Sequence, residues 1–208
     1  MEFRRCYFDN CGLSVTCAPD LRSRVRNVTI LDCSERACNV YGAVIEDTLI
    51  DGLRTSGKLF QTWAAVFNRV TLKGKIDRMM ISSTAFPGVA TAEQQQAFDE
   101  VNEVYYRHVE WALDISRGEF KEFSIRGLPG HLIRRDPETQ MLVTRERALR
   151  GGWKGLEFRE NLWPVSLDLF LQREDPSIVL VAPKRHTKFR NYLEDLHLLR
   201  QAGVTEPD

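Results

Sequence analysis

The feature that most constrains this chain is a short pattern between Val25 and Val89 that returns roughly every twenty residues. Asn27-Val28-Thr29-Ile30-Leu31-Asp32-Cys33 lies over Glu46-Asp47-Thr48-Leu49-Ile50-Asp51-Gly52, and that over Asn68-Arg69-Val70-Thr71-Leu72-Lys73-Gly74. The starts at 27, 46 and 68 are 19 and 22 apart. One column holds Thr29, Thr48 and Val70, a second Leu31, Ile50 and Leu72, and a third the small Cys33, Gly52 and Gly74. Alternate side chains of a strand point to opposite faces, so columns that recur one turn later can stack into a continuous core. Cys38 and Val40 fall over Gly57 and Leu59, then over Met79 and Ile81; Val25, Val44 and Val66 also align, with Val89 beyond them. Three apolar columns per turn imply three strands per turn, separated by the Gly, Asp, Asn and Ser that break strands. The uneven turn length favours a right-handed coil over the strict hexapeptide left-handed one. The predicted fold is mixed: a short right-handed parallel β-helix of about four rungs over residues 1–90, then an α+β region over 91–208.

Asn27-Val28-Thr29-Ile30-Leu31-Asp32-Cys33 resembles the Asn-Val-Thr-Ile-x-Asn-Cys run of right-handed parallel β-helix repeat proteins, over about residues 6–90 and as architecture only. The resemblance implies a scaffold shared by polysaccharide lyases and hydrolases, adhesins and pure scaffolds, so it names no activity. The paired Asp and the Gly-His-Gly of the family's polygalacturonases are absent from the sequence, which counts against carbohydrate cleavage.

The second half changes pattern. Pro87 and Gly88 mark a turn, and Thr91 with Gln94 forms a capping box for a helix from Ala92 to about Ser116. Phe98, Val101, Tyr105, Val109 and Ala112 give that helix its apolar stripe, Gly118 its stop. The expected role of this helix, or of the domain it opens, is to cap the open strand edges of the stack, with His108 and Trp111 in core or rim packing. Phe120, Phe123 and Ile125 suggest a strand. His131–Arg135 and Gln140–Thr144 read as a hairpin around Asp136-Pro137-Glu138-Thr139. Trp163 to Leu171 is apolar and fits strand or helix; Ile178–Val181 is a short buried strand. Phe189, Tyr192, Leu193, Leu196 and Leu199 make a last amphipathic helix ending before Gly203. No repeat is expected in this half.

Apolar residues at 43% and charged residues at 28% fit a soluble globular protein, and no run is long enough to span a bilayer. With 29 basic and 29 acidic side chains there is no general attraction to nucleic acid or anionic membrane. Met1-Glu2-Phe3-Arg4-Arg5 lacks an apolar secretion signal, so a cytoplasmic location is expected. Cys6, Cys11, Cys17, Cys33 and Cys38 contain no Cys-x-x-Cys pair; they read as apolar fillers, neither metal ligands nor a disulfide framework.

No nucleophile elbow, zinc helix, phosphate loop or dinucleotide fingerprint occurs, and no catalytic residue, metal or cofactor is assigned. Asp32 and Asp51, with Lys73 in the third place, form a candidate outer-face row. The late run Lys184-Arg185-His186-Thr187-Lys188 is the candidate anion site, with Thr187 capping the following helix and leaving its N–H groups free. The expected function is a non-enzymatic binding or scaffold protein of the inhibitor, immunity or assembly-factor kind. One side of its β-helix docks a protein partner, and Phe60, Trp63 and Trp153 supply aromatic contacts. The alternative is an enzyme or binding protein for a carbohydrate or phosphorylated ligand, in a cleft between solenoid and second domain.

Overall fold

The structure is a computed structural model describing residues 1–85 and 88–207. The chain begins with strands β1 (Glu2–Arg4), β2 (Tyr7–Asp9), β3 (Gly12–Leu13), β4 (Ser23–Arg26), β5 (Thr29–Arg36), β6 (Asn39–Tyr41), β7 (Ala43–Thr55), β8 (Phe60–Trp63) and β9 (Val66–Ser82). Helix α1 (Ala92–Tyr106) precedes β10 (Leu113–Asp114), β11 (Gly118–Arg126), β12 (Ile133–Arg134) and β13 (Gln140–Thr144). Helices α2 (Arg145–Leu149) and α3 (Leu162–Leu171), strand β14 (Ser177–Val181) and helix α4 (Phe189–Gln201) complete it. Strands β1 to β12 form one parallel sheet, ordered β1-β5-β7-β9-β8-β6-β3 with the others paired alongside; β13 and β14 form a separate antiparallel pair. Because β9 pairs first with β7 and later with β8, the large sheet curls back on itself.

The curl comes from bends of left-handed backbone. Positive φ occurs at residues 27, 32, 37, 42, 47, 52 and 57, every fifth position, and resumes at 64, 69 and 74. These bends stack from pass to pass. Asn27 and Asp47 precede Arg69, whose guanidinium bonds Asp47 at 2.6 and 2.9 Å. Left-handed backbone costs most side chains about 1–2 kcal/mol, less for Asn and Asp and nothing for Gly. Gly74 is confined further: a Cβ there would sit 2.5 Å from Asp51 Oδ1. Four bends per pass, rather than three turns, make each face a five-residue unit.

This unit corrects the columns read from the sequence. Thr29 pairs with Leu49, a step of 20, while Val44 pairs with Val66, a step of 22. The inward column is therefore Phe3, Ile30, Ile50 and Leu72, and Leu31 lies over Asp51 and Lys73 instead. A one-residue slip moves a side chain to the opposite face, which is what separates Ile30 from Leu31. Cys33 stacks on Leu53 and then Ile76; Val40 stacks on Thr62 and then Ile81. Val25 pairs with Ile45, and Val89 is an exposed turn residue. The bends at Asp32 and Gly52 reset the alternation, so Cys33 points inward although Ile30 does too.

The cysteines are all free, and Cys33 is fully buried. Backbone N–H groups of Cys6 and Cys11 donate to Cys33 Sγ and Cys38 Sγ, both at 3.4 Å, so the thiols stack one pass apart.

The capping box is present: Thr91 Oγ1 accepts from Gln94 N, and Gln94 Oε1 accepts from Thr91 N. The expected turn at Pro87 lies outside the described residues. Helix α1 stops at Tyr106, well short of Ser116; Val109 and Ala112 are buried beyond it, whereas Val101 is exposed. Nor does α1 cap the stack. It lies along its side, with Phe98 beneath the Arg22 guanidinium and beside Gly42. Tyr106 Oη accepts from Phe67 N at 3.2 Å, and Tyr105 Oη donates to Glu46 at 3.2 Å.

After α1 the parallel sheet resumes, against the expectation that nothing repeats there. β10 and β11 pair with β9, Leu113 over Val70 and Gly118 over Gly74. β12 pairs with β10, not with β13, so the predicted hairpin does not form although Asp136 O closes its turn by accepting from Gln140 N at 2.8 Å. The end beyond β11 is covered by the β13–β14 pair instead. Leu142, Val179 and Val181 face the sheet's core with Phe123, Ile125 and Leu132, while Met141, Val143 and Leu180 face a second core with Trp163, Leu167, Phe170 and Leu196. Period-two alternation thus lets two short strands divide two cores. The ambiguous run 162–171 is helical, and it supplies much of the second core.

Glu46 ties α1 to the sheet. It is buried, accepts from Arg26 at 2.6 and 3.0 Å and receives the Tyr105 hydroxyl. Burial alone raises a carboxyl pKa, but the Arg26 and Tyr105 bonds outweigh it and hold Glu46 below its ordinary 4.5. A depressed folded value stabilises above the unfolded one, and that stabilisation disappears as pH falls through the folded value. The melting temperature of Glu46→Gln should thus lie below wild type at neutral pH, the gap closing as acid is added below about pH 4.5. A gap unchanged down to about pH 3 would contradict the assignment.

Candidate functional site

The late basic run is held by carboxylates. Lys184 pairs with Asp136 at 2.8 Å, Arg185 with Asp77 at 2.9 Å and Lys188 with Glu160 at 2.8 Å. Arg185 N also donates to Phe120 O, so residues 184 and 185 strap the segment after β14 to the parallel sheet. Thr187 does not cap α4: the cap position is Lys188, with no side-chain bond, and His186 Nδ1 accepts from Lys188 N at 3.0 Å. His186 lies against Tyr192, 5.0 Å between ring centroids. The Tyr192 phenol is shifted up by burial and by nearby Glu160. Glu160 is shifted down by its bonds to Lys188 and Asn191.

The outer row divides between two columns. Asp51 stacks with Lys73, which it bonds at 3.1 Å, and lies beneath Leu31. Asp32 stands at a bend directly over Gly52. The structure therefore does not join Asp32 to Asp51 in a row. Among the aromatics, Trp153 is buried and donates to Ala148 O, so it is not a surface contact; Trp63 is half-buried.

What the fold does assemble is a cleft between the parallel sheet and the second core. It has a volume of about 430 Å³, within the range of ligand and peptide sites. Its walls are β11 from Glu122 to Arg126, β14 from Ser177 to Val181 and the α3 residues Leu162, Ser166 and Leu169; His186 and Tyr192 lie at its border. Arg173 bonds Asp175 at 2.7 Å, whereas Arg126 is exposed with no ion-pair partner among the described residues. Of the sequence-chosen residues only His186 reaches this cleft. A second hollow of about 350 Å³ lies between α1 and the 127–132 segment, bordered by Asp99, Asn102 and His131. Burial raises the Asp99 carboxyl, assisted by Asp175.

Helix α3 bears the cleft's most informative surface. Trp163, Leu167 and Phe170 are buried inward, while Leu162, Val165 and Leu169 face outward at 37, 52 and 42% exposure. Sequence reasoning missed Arg126 and this ridge. The available signal was an apolar run with no polar stripe, which a surface helix normally has. Among the described residues no group of three or more His, Cys, Asp or Glu is placed to hold a metal, and no helix is long and apolar enough to cross a membrane. Comparison with known proteins finds no family model, no curated protein and no solved structure that matches the chain.

Proposed function

We propose that the chain is a binding protein without chemistry of its own, in which the parallel sheet is a rigid frame and the α3 side receives a protein partner. We read the curled sheet as a right-handed β-helix of about four coils, the stiff scaffold on which such a contact surface is held. The carrying observation is the outward row Leu162, Val165 and Leu169 on a helix already apolar inward. A helix apolar on both faces suits burial on both, and the second face is left partly exposed by the described residues.

A photo-crosslinking side chain at Val165 tests this in extracts of the source cell, with one at exposed Val15 as control. The expected result is one protein crosslinked from 165 and not from 15, and lost on Leu162→Ser with Leu169→Ser while melting stays within about 2 °C, since surface changes cost little. Identical products from both positions, or none, would sink the reading. The cleft beside the ridge favours a second reading, a small carbohydrate or phosphorylated ligand, with Arg126 as the available cation.

A further inference from the structure

The cleft's long wall is the edge of a strand. Ser177 to Val181 line it consecutively, although side chains of a strand alternate, so it is the backbone that borders the space. The register shows which groups. Arg145 N donates to Pro176 O and Ala182 N to Thr139 O, so residues 176, 178, 180 and 182 turn their backbone toward β13. The N–H and C=O groups of Ser177, Val179 and Val181 therefore point away from β13, along the cleft. Among the described residues β14 pairs with no strand but β13, and β11 runs past β14 without pairing to it. Five extended residues span about 17 Å, enough to template a short strand.

We propose that this edge accepts an extended segment of the partner protein, which adds as a third strand beside β14 in the slot between α3 and β11. This rests on the partner-binding reading and specifies its chemistry. N–H and C=O groups alternating in a row along a strand edge match the spacing of another polypeptide backbone. The α3 wall of Leu162, Leu169 and Phe170 takes apolar side chains at alternate positions. Unpaired Arg126 at the rim selects a carboxylate, so the segment alternates apolar residues and carries an Asp or Glu.

Random dodecapeptides displayed on phage and panned against the full chain test the proposal, with winners resynthesised and measured by fluorescence anisotropy. Val179→Pro removes an outward N–H and leaves the β13 pairing intact; Ser166→Trp fills the slot from α3 without touching β14. Winners are expected to alternate apolar residues around an acid. Their affinity should fall at least tenfold on Val179→Pro, Ser166→Trp and Arg126→Glu, and equally when alternate peptide nitrogens are methylated. No enrichment, or winners that bind Val179→Pro and Ser166→Trp within twofold of wild type, overturns strand addition. Crosslinks from Val165 that persist in both variants would then show that the ridge still receives its partner and that only the added strand is wrong.

Discussion

Leu72→Asp should give no folded protein, while Leu31→Asp should fold and melt close to wild type. The two positions look equivalent in the sequence, and register alone separates them. Leu72 is 2% exposed in the inward column with Ile30 and Ile50, packed in the main core. Truncation to Ala there would already cost about 2–5 kcal/mol through lost contacts and a cavity. A carboxylate adds desolvation with no partner, and together these reach the 5–15 kcal/mol that holds a typical domain together. Leu31 lies between Arg4 and Asp51 and outside the inward column, so an Asp there meets the Arg4 guanidinium and solvent, with Asp51, itself bonded to Lys73, on its other side. Its expected cost is below about 1 kcal/mol. Far-ultraviolet circular dichroism and urea unfolding of both variants decide the matter; a folded Leu72→Asp, or an unfolded Leu31→Asp, would mean the register is wrong.

Asp195→Ala should be the most damaging change in the second core that removes no apolar packing. Asp195 is 2% exposed on α4, and its two oxygens accept the backbone N–H groups of Arg159 and Glu160 at 2.8 and 3.0 Å. No strand or helix holds those N–H groups otherwise. Deleting the carboxylate removes two part-buried hydrogen bonds to a charged acceptor, at about 1.5–3 kcal/mol each, or about 3–6 kcal/mol together. The loss should also release Glu160, which positions Lys188 and Asn191, so protease cleavage around residues 155–161 should appear before global unfolding. Asp195→Asn, keeping one acceptor, should lie between. A melting temperature for Asp195→Ala within about 1 °C of wild type would show that this loop is held by something else.

Much of the first half was legible because its information is local and repeated. Strand content, the parallel stack, inward Ile50 and Leu72, the Thr91–Gln94 box and the free thiols all follow from periodicity and side-chain type. The phase of the stack did not follow. A match of 19 places aligned Thr29 with Thr48, whereas left-handed bends every fifth residue set the step at 20, a conformation that residues such as Ala37 and Arg69 do not advertise. The candidate site was harder still. Lys184, Arg185 and Lys188 looked available because their partners Asp136, Asp77 and Glu160 stand 48, 108 and 28 residues away (184 − 136, 185 − 77, 188 − 160).

By itself, the sequence determined that this chain stacks parallel strands around aliphatic columns, since a repeated pattern can bury its apolar side only against its own copies. Only the tertiary structure decided where the strands end, that β13 and β14 divide two cores, and that α3 and the free edge of β14 border one cleft. Those outcomes depend on which distant groups cancel one another's charge and hydrogen-bonding capacity, and such pairings leave no period to read.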